Sequence, residues 1–375
     1  MRLIYITEGS GSAINSQVYE LISELAKISS IYEIHLCLSV NDKMKLNYIF
    51  SEKVKVHYFK NFGMYPIVDI YNIFLLRKIL KDIQIIKTDI LHVRSEYLGY
   101  IVSKAINKSY DFQENLYIDI RGAIKEEIEC SNMHKIKKSI KVKYIEKIFR
   151  YLIKKNIFYN VVSNELKTYI KNKYLINNIS IIPCIAGKNF SFNLKNRILR
   201  RKELGLENDD ILFIFSSGAL NSWQNNDEVV DLFSKENKLL MLGKKKYRNK
   251  NVISKYVDFK DVSSYLSAAD IGIILRNDSI VNKVASPIKF SEYVACGLPV
   301  ITDGNVNQIN EFIGKNNCGY IKHNLRNIDG IVENLKLLDR NSISKKGIKM
   351  YGIEVIANLY LNEYKKIRNN NENIS

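Results

Sequence analysis

Short apolar runs alternate with longer amphipathic stretches along the first half of the chain. Arg2–Ile6 reads as a strand, and SAINSQVYELISELAK (residues 12–27) carries its apolar positions at helical spacing. Glu33–Ser39 predicts a second strand, Ile67–Lys81 a helix, and Ile90–Val93, Leu116–Ile120 and Phe158–Val162 further strands. Such alternation predicts an α/β fold with a parallel, doubly wound sheet. Around SIIPCIAGKNF (180–190) the pattern breaks into a linker, and RILRRKELGL reads as the helix that opens a second domain. The second half restarts the alternation. It predicts strands at Ile211–Ser216, Lys238–Leu242 and Ile271–Leu275, with helices at Asn226–Ser234 and Asp261–Ala268. SPIKFSEYVACGLPVITDG (286–304) then reads as loop, helix, turn and strand, and Ile353–Ile367 as a last helix before the polar tail RNNNENIS. The expected division is residues 1–185, residues 186–352, and a C-terminal segment 353–375 whose helix packs back on the first domain. Two α/β domains on a short linker suggest a cleft, a favoured place for a ligand.

Length and composition agree with this. At 375 residues, 46% hydrophobic and 26% charged, the chain suits two globular domains rather than a disordered polymer. No apolar run approaches the length of a membrane span, and Glu8 directly follows the first strand, so neither a signal peptide nor a spanning helix is expected. Five scattered cysteines without a CxxC pair argue against a disulfide framework or a zinc site, and for a cytoplasmic setting. The histidines are isolated, so no metal constellation is visible.

The formal charge of +18 changes the picture more. Nucleic acid, an anionic membrane surface or phosphorylated small molecules would each fit it. Much of the excess lies in KIKKSIKVKYIEKIFRYLIKK (135–155), nine Lys or Arg against one Glu, with Ile136, Ile140, Ile145, Ile148 and Leu152 at helical spacing. Two readings stand: a membrane-surface helix, or an ordinary docked helix with a solvated basic face. A nucleic-acid partner is not expected, because no basic patch interleaved with aromatics and no binding motif is present.

Candidate chemistry sits where strands end, since open α/β sheets bind ligands beyond their carboxyl edges. In the second half, Ser286 can cap the following helix, Pro287 suits its first position, and Lys289 then falls at the third. A cation at the positive end of a helix is locally unfavourable unless an anion sits there, and helix N-termini bind phosphate. Glu292 follows on the same face, either as the lysine's partner or as an acceptor for ligand hydroxyls. Arg276 ends an apolar strand ten residues before Ser286, and the loop SSGALNSWQNN (216–226) offers Gly218 for close backbone approach and the single Trp223. In the first half, YIDIRGAIKEE places Asp119, Arg121 and Gly122 at a strand end, and HVRSEY places Arg94 and Glu96 at another. The opening EGSGSAI has Gly9 and Gly11 but Ile14 at the third glycine position, so a nicotinamide site is rejected.

These residues resemble a known family. LSAADIGIILR followed by SPIKFSEYVACGLPVI is similar to the donor-binding half of glycosyltransferase family 4 and its relatives with the GT-B fold, in which two Rossmann-like domains face across a cleft. SSGALNSWQ, VVSNELKTYI, IIPCIAGKNF, HVRSEY and DIRGAIKEE extend the likeness over most of the chain, toward transferases of bacterial surface polysaccharide. The resemblance implies a nucleotide-sugar as substrate rather than any cofactor, with the diphosphate held by Arg276, Lys289 and backbone N–H groups near Ser286. It implies Glu292 on the ribose, a loop at Gly218, Asp119 and Arg121 as the catalytic candidates of the first domain, and no metal. The implied acceptor is a glycan or lipid-linked oligosaccharide at the inner face of the cell membrane. Two departures matter: the first of the family's two signature glutamates falls at Val284, and Asp119-Ile120-Arg121 stands where the family commonly has a histidine at a first-domain strand end. A sugar-nucleotide epimerase or a catalytically inactive subunit of the same fold therefore remain as alternatives.

Overall fold

The computed structural model describes residues 1–9, 14–39, 48–106, 115–207, 209–216, 229–230, 237–322 and 329–372. The chain divides into two compact units, Met1–Pro183 with Ala357–Ser375, and Cys184–Ile356. In the first, seven parallel strands lie in the order β3-β2-β1-β4-β5-β6-β7. They are β1 (Arg2–Glu8), β2 (Glu33–Ser39), β3 (Val54–Phe59), β4 (Ile90–Arg94), β5 (Leu116–Ile120), β6 (Phe158–Val161) and β7 (Ile179–Ile181). The second holds six parallel strands, β8 (Leu212–Ser216), β9 (Lys238–Leu242), β10 (Val252–Lys255), β11 (Ile271–Ile274), β12 (Val300–Thr302) and β13 (Gly319–Ile321), in the order β10-β9-β8-β11-β12-β13. Both orders reverse direction once, between β1 and β4 and between β8 and β11. Such reversals open a crevice at the carboxyl ends of the two strands.

The central strands are legible because helices cover both of their faces, which makes them nearly continuous apolar runs. Leu3, Ile4, Tyr5 and Ile6 of β1 are all fully buried. The four strands absent from the sequence reading, β3, β7, β10 and β13, are the four sheet edges. In β3 (VKVHYF) only the first and last residues are buried, so no apolar run marks it. β7 falls where a linker was expected, and the second unit begins after it.

Several helices differ in detail. The first begins as a π-helical stretch, Asn15–Glu20, before α-helix Leu21–Lys27. Asn226–Ser234 lies almost wholly outside the described residues. The basic helix runs over Lys135–Leu152 and buries Tyr144, Ile145, Ile148, Phe149 and Leu152. Its expected apolar stripe is only half used, because Ile136 and Ile140 remain exposed. The helix Ile353–Glu372 sends Tyr360 and Tyr364 into the first unit, where both are fully buried.

The second unit is tied together around one half-buried cation. Arg340 donates hydrogen bonds to five carbonyls: Leu266, Ser267 and Ala269 at the end of helix Phe259–Ala268, and Cys296 and Gly297 after helix Ile288–Ala295. Helix C-termini leave carbonyls without partners, and a cation there also answers the negative pole of the helix dipole. Gly297 sits at φ +71°, and a Cβ there would lie 2.3 Å from the Arg340 carbonyl. Gly347 likewise lets helix Arg340–Tyr351 touch the backbone at Val294, where a Cβ would lie 2.6 Å from its carbonyl carbon. Arg340→Met keeps the stem and strands the carbonyls, and should cost about 3–5 kcal/mol. Urea melts followed by circular dichroism would show the loss as a lower midpoint.

Candidate functional site

Arg276 follows β11, at the reversal point of the second sheet. Its backbone is clamped from both sides by the turn after β12. Asp303 Oδ2 accepts the Arg276 N–H at 2.5 Å, and Asn305 Nδ2 donates to the Arg276 carbonyl at 2.7 Å. Asp303 Oδ1 in turn accepts the Asn305 N–H, which closes the turn over Gly304 at φ +88°. The side chain is only 9% exposed, yet among the described residues it makes a single hydrogen bond, at 3.3 Å to the neighbouring Leu275 carbonyl. Burial pushes its pKa below the usual guanidinium value, against the pull of Tyr293 and Asp303. A buried guanidinium that makes one hydrogen bond among the described residues is suited chemically to an anion.

Tyr293 joins β11 to the strand beside it. Its hydroxyl accepts the Ser216 N–H at 2.7 Å, at the carboxyl end of β8. The ring lies over Gly272 of β11, where a Cβ would meet it at 2.5 Å. Glycine is required there for the helix to reach the sheet so closely. Gly218 and Trp223, expected just beyond Ser216, lie outside the described residues.

The helix expected after Ser286 is present, with one correction. It spans Ile288–Ala295 with Pro287 at the cap, so Lys289 stands at its second position. The Ser286 hydroxyl does not cap it, and instead accepts the Cys184 N–H at 3.1 Å. The extended Pro287 backbone takes the cap position, since a proline's missing N–H costs nothing at a helix start. Lys289 Nζ bonds Glu292 Oε2 at 2.9 Å, one turn on; the Glu292 side chain is 2% exposed and that of Lys289 27%. Of the two readings for this pair, the direct ion pair is the one seen.

In the first unit Asp119 and Arg121 are brought together, but Asp119 is wholly buried. Its carboxylate accepts from Asn160 Nδ2 at 2.7 Å, Arg121 Nη1 at 3.3 Å and the Tyr360 hydroxyl at 3.3 Å. Burial is the largest single influence and would raise its pKa; Arg121, His92 and Arg94 together outweigh it and hold the carboxyl ionised well below the usual range. Burial lowers the pKa of His92, whose Nδ1 is 2.6 Å from the Tyr364 hydroxyl. Asp119 therefore holds Arg121 in place rather than facing a ligand, and Arg121 also donates to Gln17 Oε1 at 3.1 Å. The side chain of Arg121 is 19% exposed and that of Asp119 1%.

Glu96 is the buried acid at the reversal point of the first sheet. It opens helix Glu96–Ile106, directly after Ser95, whose φ of +97° is strained for a residue with a side chain. Burial pushes its pKa up to about 8, against the hydrogen bond from its own backbone. Arg94, beside it, donates to the Gln17 carbonyl at 3.1 Å. Asp303 and Asn305 were missed in the sequence, although TDGN directly follows a strand and the rule of carboxyl ends would have found them. Gln17, Asn160 and Tyr360 carry no such signal, since only the folded chain brings them to Arg121 and Asp119.

The comparisons bear on this geometry. Residues 215–366 match the family model described as glucosyltransferase 3-like, C-terminal domain. The comparison with curated proteins returns no match. Among solved structures, a glycosyltransferase from Rickettsia africae ESF-5 is similar at 15% identity with a TM-score of 0.69, covering 98% of each chain. Sucrose-phosphate synthase from Thermosynechococcus elongatus gives 13% identity and 0.71, over 98% of this chain and 99% of that one. Anabaena Alr3699/HepE, in complex with UDP and glucose, gives 10% and 0.69, over 98% and 100%. The chain thus has the GT-B fold, with two Rossmann-like units.

The raised pKa of Glu96 has a definite sign. The folded state holds a proton that the unfolded state releases near the ordinary carboxyl value, so Glu96 lowers stability as pH rises from there to about 8. Glu96→Gln should therefore raise the melting temperature above that range and change it little near the ordinary carboxyl pKa. Thermal melts across pH check this; a constant difference at every pH would contradict it.

Proposed function

We propose that this chain is a glycosyltransferase that moves a sugar from a nucleotide-sugar donor to a glycan or lipid-linked oligosaccharide in cell-surface polysaccharide (O-antigen or capsule) synthesis. The reaction is retaining and needs no metal, and the chain works at the inner face of the cell membrane. The observation that carries the reading is Arg276: a buried side chain on a clamped backbone, with one hydrogen bond among the described residues, at the reversal point of its sheet. The family match over residues 215–366 and the UDP and glucose held by a protein of the same fold support it.

The donor's diphosphate sits against Arg276 and the N-terminus of helix Ile288–Ala295. Lys289 can keep Glu292 and still reach a phosphate, because an ammonium has three donors. Glu292 retains a second oxygen for a ribose hydroxyl. When the bond between the sugar's anomeric carbon and the phosphate oxygen breaks, negative charge develops on the leaving diphosphate, and these fixed cations stabilise it. Arg121, oriented by Asp119, serves the acceptor side. Residues 135–155 face the anionic membrane surface that carries a lipid-linked acceptor. A second reading, an inactive scaffold subunit, is favoured by Val284 at the position of the missing glutamate.

A thermal-shift panel with UDP, GDP, ADP and dTDP tests the donor site, since a ligand of the native state raises its melting temperature. One nucleotide should stabilise the protein. Arg276→Ala and Lys289→Ala should each weaken it by about ten- to a hundredfold, the worth of one charged hydrogen bond. Normal binding by both variants would remove the site assignment, and no shift with any nucleotide would favour the scaffold.

A further inference from the structure

Helix Asp69–Asp82 is inside out over its first two turns. A surface helix ordinarily buries its apolar stripe and exposes its polar face. Here Asp69 and Asn72 are buried, while Ile70, Tyr71 and Phe74 are 77%, 65% and 63% exposed. The turn before it adds Ile67, 83% exposed, with Phe62 and Tyr65.

Buried hydrogen bonds enforce this orientation. Asp69 accepts from the hydroxyls of Tyr144 and Tyr97. Asn72 accepts the Phe62 N–H at 3.1 Å and donates to the Tyr97 hydroxyl at 2.6 Å and the Gly63 carbonyl at 3.3 Å. Turning the helix to bury its apolar side would strand all of these groups. Tyr144 belongs to the basic helix Lys135–Leu152, so the same bonds join the patch to that helix. Lys141 Nζ lies 4.8 Å from the Tyr65 ring centre, and Lys60 Nζ 5.6 Å from that of Phe62. Ile136 and Ile140 continue the exposed apolar surface, among the exposed Lys135 and Lys137.

We infer that residues 62–74, with the first half of helix Lys135–Leu152, form a surface that docks on an anionic lipid bilayer. The apolar and aromatic side chains enter the headgroup boundary, and the lysines bind anionic headgroups. Charge decides the occupant: the cores of protein interfaces are depleted of lysine, and a second copy would oppose like charges. The inference rests on the reading of residues 135–155 as membrane-facing and adds the inserting element; it does not depend on the donor site.

The test is co-sedimentation of the full chain with vesicles of phosphatidylcholine, alone or mixed with phosphatidylglycerol. Binding should require phosphatidylglycerol and weaken with salt. The combined Ile67→Ser, Ile70→Ser and Phe74→Ser variant should bind at least about tenfold more weakly, with an unchanged circular dichroism spectrum and nucleotide response. Phe74→Trp should shift its emission to the blue on mixed vesicles. Full binding by the serine variant would overturn the inference. If Lys135→Gln, Lys137→Gln and Lys141→Gln together abolished binding in that case, the basic-helix reading alone would survive. Self-association lost in the serine variant, without vesicle binding, would assign the surface to a second copy and overturn the inference.

Discussion

The Arg340 guanidinium closes the C-terminal ends of two helices at once, and the second unit is organised by that closure. Because Cys296 and Gly297 give their carbonyls to Arg340, helix Ile288–Ala295 has its negative pole answered inside the protein. Its positive pole, at Pro287 and Lys289, is left for something else. Gly297 and Gly347 permit the approach, since a Cβ at either would collide with backbone. The same logic surrounds helix Phe259–Ala268, where Arg197 and Arg201 also donate to the Ala268 carbonyl and both pair with Asp270. Part of the formal charge of +18 is therefore structural.

Polar groups are buried in both units, but they do different work. In the first, Asp119 is buried and saturated: three donors, the Arg121 guanidinium among them, occupy its carboxylate. In the second, the bonds around Arg276 hold its backbone, and among the described residues its side chain makes one hydrogen bond. A buried polar group is costly unless paired, so the proposed donor site rests on Arg276 and not on Asp119. The inverted helix Asp69–Asp82 follows the same rule from the other side. Its polar groups are satisfied within, and Ile70, Tyr71 and Phe74 are left exposed.

What the sequence determined by itself was everything that depends on local pattern. The central strands, the two-unit division and the helix after Ser286 follow from apolar runs, periodicity and turn residues, because those strands are covered on both faces. Arg276, Lys289, Glu292, Asp119 and Arg121 could be singled out as candidates because strand ends and helix starts are marked in the chain. Tertiary structure decided the rest. The edge strands β3, β7, β10 and β13 form only because a neighbour supplies hydrogen bonds, and half-covered strands need no apolar run. The burial of Asp119, the exposure of Ile70 and Phe74, and the Arg340 junction all depend on partners far away in the chain. Periodicity says that a helix has an apolar side; only packing decides whether that side is turned inward.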